Sequence, residues 1–168
     1  GAAGMTRAVV VMGVAGCGKS TLGRALAQHL GWSFVEGDLC HPPENVARMT
    51  AGVPLDDDAR QPFLHNVATA LIASRQGAVA SCSALKRDYR DLIRRQVGDV
   101  LFALPHLSRA DLERRMSQRP GHFMPTSLLD SQLATLEPPD TDERALVIDG
   151  NLPVAEQVRQ IEAALHPS

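Results

Sequence analysis

The chain contains Gly13-Val14-Ala15-Gly16-Cys17-Gly18-Lys19-Ser20-Thr21, a glycine-rich stretch that directly follows the apolar run Ala8–Met12. The stretch matches G-x-x-x-x-G-K-[ST], a loop whose backbone N–H groups surround phosphate oxygens. Lys19 is expected to reach the outer phosphates, and the Ser20 hydroxyl is expected to coordinate Mg²⁺. The sequence therefore predicts a site for a nucleoside triphosphate.

The flanking sequence supports this interpretation. Ala8–Met12 is apolar throughout, which is typical of a buried strand. Leu22, Leu26 and Leu30 recur every four residues and give the following segment one apolar helical face. The alternative is a glycine-rich turn without a ligand, which the strand–loop–helix context disfavours.

Short apolar runs alternate with helical patterns along the whole chain. The predicted strands are Ala8–Met12, Ser33–Glu36, Ala78–Cys82, Val100–Leu104 and Leu146–Ile148. This alternation is typical of a parallel sheet covered by helices. We therefore predict an α/β fold with a five-stranded parallel sheet that carries helices on both faces.

Three helices have readable features. Ser108, with Asp111 three residues later, predicts a capped helix start. Thr126 predicts the start of another helix that continues to Leu136. The last helix is expected to bury four apolar residues, Val154, Val158, Ile161 and Leu165.

Length and composition indicate a single-domain protein and exclude several classes of partner. The 168 residues predict one domain, and the net charge of −2 offers no basic surface for nucleic acid. We expect a cytoplasmic protein without membrane contact, because the sequence lacks an 18-residue apolar run and a secretion signal. Cys17, Cys40 and Cys82 are expected to be reduced thiols. Residues 1–4, ahead of Met5, are interpreted as residual cloning sequence, which leaves 5–168 as the domain.

Polar residues follow the second and third predicted strands. Asp38 and His41 come after strand two, and Ser83, Lys86 and Arg90 come after strand three. Since ligands of parallel sheets bind beyond the carboxyl ends of the strands, these groups are expected to face one cleft. They suit a polar, hydroxyl-rich, anionic substrate. The alternatives are a helix-capping role for Asp38 and solvated helix charges at Lys86 and Arg90.

A third polar segment precedes the final strand. Arg115 and Arg119 lie four residues apart on one expected helix face that ends before Pro120. A short helix over Ser127–Leu136 follows. We predict a mobile lid at about 119–137 whose arginines close over the phosphates, as phosphoryl transfer requires. The alternative is a basic helix end stabilised by its own dipole.

Several motifs occur in a recognisable order. They are the phosphate loop, Gly37-Asp38 with His41-Pro42 and Asn45, Met49 with Gly52-Val53-Pro54-Leu55, Cys82-Ser83-Ala84-Leu85-Lys86, Tyr89-Arg90-Asp91, and Gly121-His122-Phe123-Met124. From about Val9 to Pro139 the chain resembles gluconate kinase, a P-loop kinase of the nucleoside-monophosphate-kinase-like type. The resemblance implies transfer of the ATP γ-phosphate to the 6-hydroxyl of D-gluconate, with Mg²⁺, in a homodimer.

The resemblance also implies site residues. The nucleotide group comprises Gly13, Ala15, Gly16, Cys17, Gly18, Lys19, Ser20, Thr21, Arg115 and Arg119. The substrate group comprises Asp38, His41, Arg48, Arg60, Lys86 and His122. The expected catalytic residues are Lys19, Asp38 and Arg119, and Ser20 is the expected Mg²⁺ ligand. Asp38 is expected to orient or deprotonate the attacking hydroxyl, and Arg115 to lie near adenine.

Three positions depart from the family pattern. Cys40 stands where leucine is usual, Ala59 replaces an acid before Arg60, and Phe63 replaces a tryptophan. A zinc site at Asp38, Cys40 and His41 is disfavoured, since three ligands within four residues do not readily surround one ion.

Shikimate kinase, nucleoside monophosphate kinase and a nucleotide-dependent switch remain alternatives. The segment Ser83-Ala84-Leu85-Lys86 matches neither of these other kinases.

Overall fold

The computed structural model describes residues 6–118 and 126–166, in which five parallel strands form one sheet ordered β2-β3-β1-β4-β5. The strands are β1 (Ala8–Val11), β2 (Ser33–Glu36), β3 (Ala78–Ser81), β4 (Leu101–His106) and β5 (Ala145–Asp149). The helices are α1 (Lys19–Leu30), α2 (Pro43–Thr50), α3 (Asp57–Ile72), α4 (Arg87–Val97), α5 (Arg109–Ser117), α6 (Thr126–Thr135) and α7 (Val154–Leu165). A short 3₁₀ helix, Gly37–Cys40, follows β2.

All five predicted strands are confirmed, with shifts at their ends. The largest shift is in β4, which continues past Leu104 to His106 because the pairing with β5 runs out to His106 opposite Asp149. Hydropathy could not reveal this end, since Pro105 and His106 carry no apolar pattern. The ladder to a neighbouring strand determines where β4 stops.

The core lies on both faces of the sheet, as predicted. Val9 and Val11 of β1 belong to one cluster with side chains from α1 and α7. Val10, between them, belongs to the opposite cluster with side chains from α3 and α4. This alternation follows from the two-residue period of a strand. Helices on both faces thus bury every residue of β1 and β3.

A third apolar cluster lies beyond the carboxyl end of β1. It contains Val14 and Cys17 from the glycine-rich loop, Leu112 from α5 and Leu129 from α6. Leu133 and Leu136 pack against the same cluster. These contacts fix the loop against the two helices that flank residues 119–125.

Two predictions about burial are wrong. Val154 is 36% exposed, because it begins α7 at the rim of a cavity and only the later turns of the helix reach the sheet. Arg90 is neither a solvated helix charge nor a group at the cleft edge, because its side chain is fully buried against Glu143. The helix starts at Ser108 and Thr126 are confirmed, although α6 ends at Thr135, one residue early.

Among the helices of the described ranges, none has the length and apolar character that a membrane crossing requires.

Candidate active site

The glycine-rich loop adopts a conformation that requires its glycines. Gly13, Gly16 and Gly18 have φ angles of +131°, +86° and +89°, a region that residues with a Cβ rarely enter. A Cβ on Gly13 would also lie 2.8 Å from the Sγ atom of Cys17. The loop can therefore turn sharply between β1 and α1 only with this glycine spacing.

Several N–H groups of this loop point to an anion site. Within residues 6–118 and 126–166, no protein oxygen accepts the N–H groups of Gly16, Gly18, Lys19 or Ser20. They surround the N-terminus of α1, where the helix dipole also favours negative charge. Open donors at a helix start fit the phosphates of a nucleotide.

The Lys19 ammonium group lies against the loop itself. Its Nζ atom donates to the carbonyl oxygen of Val14 at 3.1 Å. This contact ties the ammonium group to the same loop that carries the open N–H groups. Lys19 is therefore in place to exchange a carbonyl oxygen for a phosphate oxygen.

The Ser20 hydroxyl meets a carboxylate that sequence reasoning missed. Ser20 donates to Oε1 of Glu36 at 3.0 Å, and Ser81 donates to the same oxygen at 2.7 Å. The other carboxylate oxygen accepts from Arg24 at 3.2 Å. Glu36 ends β2, and its position at the carboxyl end of a strand was the available signal in the sequence.

These oxygens fit a divalent cation that is also held by phosphates. Mg²⁺ prefers oxygen ligands and is usually bound by one or two protein groups together with phosphates and water. The Ser20 hydroxyl can supply a direct ligand, and the Glu36 carboxylate can accept from Ser20 or from a bound water. The described residues contain no cluster of three or more His, Cys, Asp or Glu side chains that could hold a metal alone.

A close backbone approach positions Asp38. A Cβ on Gly37 would lie 1.9 Å from the carbonyl oxygen of Ser81, so only glycine lets the chain cross the end of β3 here. Asp38 follows on the 3₁₀ helix and is exposed. Among the described residues no hydrogen bond or ion pair engages its carboxylate, which is therefore available to a substrate hydroxyl.

The buried thiol of Cys82 lies within the electrostatic reach of both Lys19 and Asp38. Burial raises the pKa of the Cys82 thiol to about 12, with the Lys19 charge opposing this shift and the Asp38 charge adding to it. The thiol lies at the carboxyl end of β3, directly after Ser81. The backbone contacts of the two segments agree with this, because Gly13 of the phosphate loop donates to Ser83 at 3.1 Å and Gly37, before Asp38, packs against Ser81.

His41 belongs to the wall of this cleft. Its ring stacks on Phe63 with centroids 3.9 Å apart, and its Nδ1 atom contacts the Asn45 amide at 3.3 Å. Burial lowers the pKa of His41, while the Asp38 charge raises it and the Arg60 charge lowers it. Asp38 and Arg60 thus act on His41 from nearby. Phe63 supplies the stacking surface, although it departs from the family pattern.

Arg60 and Lys86 meet at one aromatic ring. The Arg60 guanidinium lies 5.4 Å, and the Lys86 ammonium 5.6 Å, from the centroid of the Tyr89 ring. The Tyr89 hydroxyl donates to Asp57 at 2.6 Å, and Lys86 contacts the same carboxylate oxygen at 3.5 Å. The Tyr89 hydrogen bond, followed by the Lys86 charge, lowers the pKa of Asp57. Arg60 and Lys86 thus share the Tyr89 ring, and Lys86 and Tyr89 both contact the Asp57 carboxylate.

The segment that carries Lys86 is held from inside the protein. Arg90 donates to both oxygens of Glu143 at 2.8 and 3.0 Å, and also to the carbonyl oxygens of Ala84, Leu85 and Glu137. The carbonyl oxygen of Ser83 accepts from Gly13 at 3.1 Å. The segment between β3 and α4 is thus fixed to the phosphate loop on one side and to a buried ion pair on the other.

Arg115 lines a cavity on the opposite side of the loop. This cavity has a volume of about 350 Å³ and is lined by Gly16, Gly18, Thr21, Arg115, Gln118, Leu152 and Gln157, among others. Arg115 donates to the carbonyl oxygen of Gly150 at 2.9 Å. The cavity adjoins the open N–H groups and mixes apolar with polar walls, which suits a nucleobase and its sugar.

The remaining predicted site residues are placed differently. Arg48 lies exposed on α2 and makes no side-chain contact with the other predicted site residues that the structure describes. Arg119 and His122 fall outside the described residues. The predictions for these three residues stay predictions.

Comparisons with known proteins agree with this geometry. A family model described as "AAA domain" matches residues 9–139. The gluconokinase of Gluconobacter oxydans strain 621H is 47% identical over 147 residues, which cover 86% of this chain and 83% of that protein. The crystal structure of a gluconokinase from Sinorhizobium meliloti 1021 matches with a TM-score of 0.85 at 48% identity, covering 96% and 92% of the two chains.

A more distant likeness concerns the fold alone. A shikimate kinase from Bacteroides thetaiotaomicron matches with a TM-score of 0.66 at 18% identity, covering 94% of this chain and 97% of that one. The fold alone is thus shared with this shikimate kinase, whereas identity of 47–48% over most of the chain is found with gluconokinases. This chain belongs to the gluconokinase family.

Proposed function

We propose that this protein transfers the γ-phosphoryl group of ATP to the 6-hydroxyl of D-gluconate, giving 6-phospho-D-gluconate and ADP. The observation that carries the proposal is the end of β3, where Gly13 of the phosphate loop donates to Ser83 at 3.1 Å and Gly37, which precedes the exposed Asp38, packs against Ser81. A nucleotide on the loop and a polyhydroxy acid on the Asp38 side would meet there. The family membership agrees with this substrate pair.

The phosphate loop supplies positioning and charge. The open N–H groups of Gly16, Gly18 and Ser20 are expected to bind phosphate oxygens, and Lys19 is expected to neutralise charge on the transferring group. The cavity beside Arg115 is the proposed adenosine site. Arg119, where the family likeness predicts a second phosphate contact, completes this proposal.

On the acceptor side, the proposed role of Asp38 is to accept the proton or hydrogen bond of the attacking hydroxyl. Its contribution to base catalysis is expected to be modest, because phosphoryl transfer depends mainly on positioning and electrostatic stabilisation. Arg60 and Lys86 at Tyr89 are the proposed ligands of the gluconate carboxylate and its hydroxyls. Arg48, His41 and His122 are further candidates for the same substrate.

Mg²⁺ is proposed at the Ser20 hydroxyl, with Glu36 behind it. The ion would neutralise phosphate charge during transfer. The chain's own task is to orient the Ser20 hydroxyl, and the hydrogen bond to Glu36 performs it.

Initial rates with MgATP test the proposed reaction. The acceptor panel contains D-gluconate, other aldonates, shikimate and nucleoside monophosphates, together with a reaction lacking acceptor. Gluconate-dependent ADP release is the expected result. Turnover with shikimate or a nucleotide would reject the substrate, and hydrolysis indifferent to every acceptor would favour the nucleotide-dependent switch.

Replacement of the acceptor-side carboxylate tests its role separately. In Asp38→Asn, kcat with gluconate is expected to fall by more than tenfold, while the Kd for ATP changes little, because the carboxylate serves the acceptor hydroxyl. The matched control is Asp88→Asn, an exposed carboxylate on α4. Turnover within about twofold of wild type would make Asp38 a structural residue.

Two broader features complete the proposal. A cytoplasmic location is supported by the use of ATP and by three cysteines that form no disulfide. A homodimer is proposed from the family likeness, and light scattering of the purified protein would measure its mass. The single domain over 5–168, with a lid at about 119–137, is likewise proposed.

A further inference from the structure

One hydrogen bond joins the phosphate loop to a distant helix. The backbone N–H of Ala15 donates to Oε1 of Gln132 on α6 at 2.7 Å, across 117 residues of sequence. Because a peptide N–H can only donate, the Gln132 amide must present its oxygen to the loop. Part of the loop's shape is therefore imposed from α6.

Apolar packing holds α6 in reach of the loop. Leu129 of α6 is completely buried in the cluster that contains Val14 and Cys17 of the loop. Leu133, next to Gln132, packs against the same cluster. Gln132 is thus the polar contact between two elements that are already packed together.

The pattern of satisfied donors separates two kinds of loop N–H group. The N–H groups of Gly13, Ala15 and Cys17 donate to Ser83, Gln132 and Val14. Those of Gly16, Gly18, Lys19 and Ser20 find no acceptor oxygen among the residues described here. The first kind holds the loop in place, and the second kind remains available to phosphate. Ala15 belongs to the first kind, and its acceptor is the one supplied by a side chain.

We propose that Gln132 is a positioning residue for phosphoryl transfer, which acts by holding the Ala15 peptide so that the open N–H groups of the loop converge on the triphosphate. The inference rests on the proposed kinase function and deepens it, because it assigns loop preorganisation to a residue that touches neither substrate. Loss of the amide oxygen leaves the Ala15 N–H without its partner, and the loop is expected to relax away from the conformation that binds phosphate.

Steady-state kinetics of Gln132→Met test the proposal, since methionine keeps the approximate shape of glutamine and removes the acceptor. We expect kcat/KM for ATP to fall about tenfold or more, with a raised KM for ATP and a KM for gluconate within about twofold of wild type. The matched control is Gln28→Met, an exposed glutamine on α1. A merely structural role would reduce the active fraction and leave the KM for ATP unchanged.

Amide hydrogen exchange at Ala15 gives a second readout that needs no acceptor substrate. The Ala15 N–H of the ¹⁵N-labelled wild-type protein is expected to exchange slowly, and that of Gln132→Met rapidly. Gln132→Glu keeps an acceptor oxygen and is expected to preserve the protection. The Kd for MgATP, measured by calorimetry without acceptor, is expected to rise in Gln132→Met.

The two levels of proposal can fail separately. Wild-type turnover with another acceptor in place of gluconate would reject gluconate as the substrate. The hydrogen-exchange and ATP-binding measurements would still test the positioning role of Gln132. Fast exchange at Ala15 in the wild type, or an unchanged Kd and KM for ATP in Gln132→Met, would overturn the positioning role.

Discussion

At the scale of single residues, the carboxyl end of β2 divides two tasks between two carboxylates. Glu36 is only 21% exposed at its side chain and accepts hydrogen bonds from Ser20 and Ser81. Asp38, two residues later, is exposed beyond the strand end. Gly37, between them, lets the backbone pass against Ser81. The roles proposed for the two carboxylates differ accordingly, with Glu36 assigned to the cation and Asp38 to the acceptor hydroxyl.

Glu36→Gln is expected to raise the Mg²⁺ concentration needed for half-maximal activity by about 10- to 100-fold, because Glu36 orients the Ser20 hydroxyl from behind. Rates at fixed ATP and varied Mg²⁺ measure the effect. Glu162→Gln serves as the control. Glu162 lies on α7, far from the phosphate loop in sequence, and its carboxylate pairs with His29. An unchanged Mg²⁺ dependence would remove Glu36 from the cation site.

At the scale of elements, helix starts and ends place the basic residues of the nucleotide side. The Ser108 hydroxyl accepts from the N–H of Asp111 at 3.1 Å and so caps α5. Leu112 then anchors the helix in the cluster beside the phosphate loop, and Arg115 reaches the carbonyl oxygen of Gly150 one turn later. The capping residue Ser108, the buried Leu112 and the cavity-lining Arg115 thus follow one another along the same short helix.

Ser108→Ala is expected to lower the free energy of unfolding by about 1 kcal/mol, because the first turn of α5 loses its side-chain acceptor. Urea denaturation with two independent probes measures the change. Ser131→Ala on α6 is the control, since within the described residues the Ser131 hydroxyl makes no hydrogen bond. Equal stabilities of the two variants would contradict the capping role.

At the scale of the whole molecule, a buried ion pair joins two segments that lie far apart in sequence. Arg90 and Glu143 have completely buried side chains, and Arg94 donates to the same carboxylate at 2.8 Å. Burial by itself raises the pKa of Glu143, but the hydrogen bonds from Arg90, the Asp140 N–H and Arg94 outweigh it and hold the pKa at about 2. The network supports the segment that carries Lys86.

Acid destabilisation tests this network. The folded pKa of Glu143 lies below its ordinary value of 4.5, so its contribution is present above about pH 4.5 and is lost as the pH falls towards 2. Arg94→Met removes one donor and is expected to raise that folded pKa, so that the acid-dependent loss of stability is smaller and ends at a higher pH than in the wild type. Chemical denaturation between pH 7 and pH 3 measures this shift.

A stronger change addresses the same pair. Arg90→Met is expected to cost about 3–5 kcal/mol at pH 7, because it leaves the Glu143 charge buried without its main partner. The exposed Arg159→Met on α7 is the control. A loss below about 1 kcal/mol would contradict the importance of the pair.

The sequence by itself determined the order of strands and helices, the phosphate loop and the edge of the sheet at which ligands bind. These features depend on the chemistry of short stretches of sequence. Apolar runs become buried strands, and Ser108 caps the helix that follows it. Gly13 allows the turn after β1 because glycine can adopt its positive φ angle. The family likeness added candidate residues to that edge. The distances between these candidate residues did not follow from the family likeness.

Only the tertiary structure decided which side chains meet. Glu36 lies beside Ser81 because β2 pairs with β3, and the same carboxylate oxygen accepts from Ser81 and from Ser20 of α1. Gln132 reaches Ala15 because α6 packs on the loop. Arg90 turned inward because Glu143, 53 residues away, is buried opposite it. Such contacts depend on strand register and helix packing between distant segments, and these are set by the whole core rather than by any short stretch of sequence.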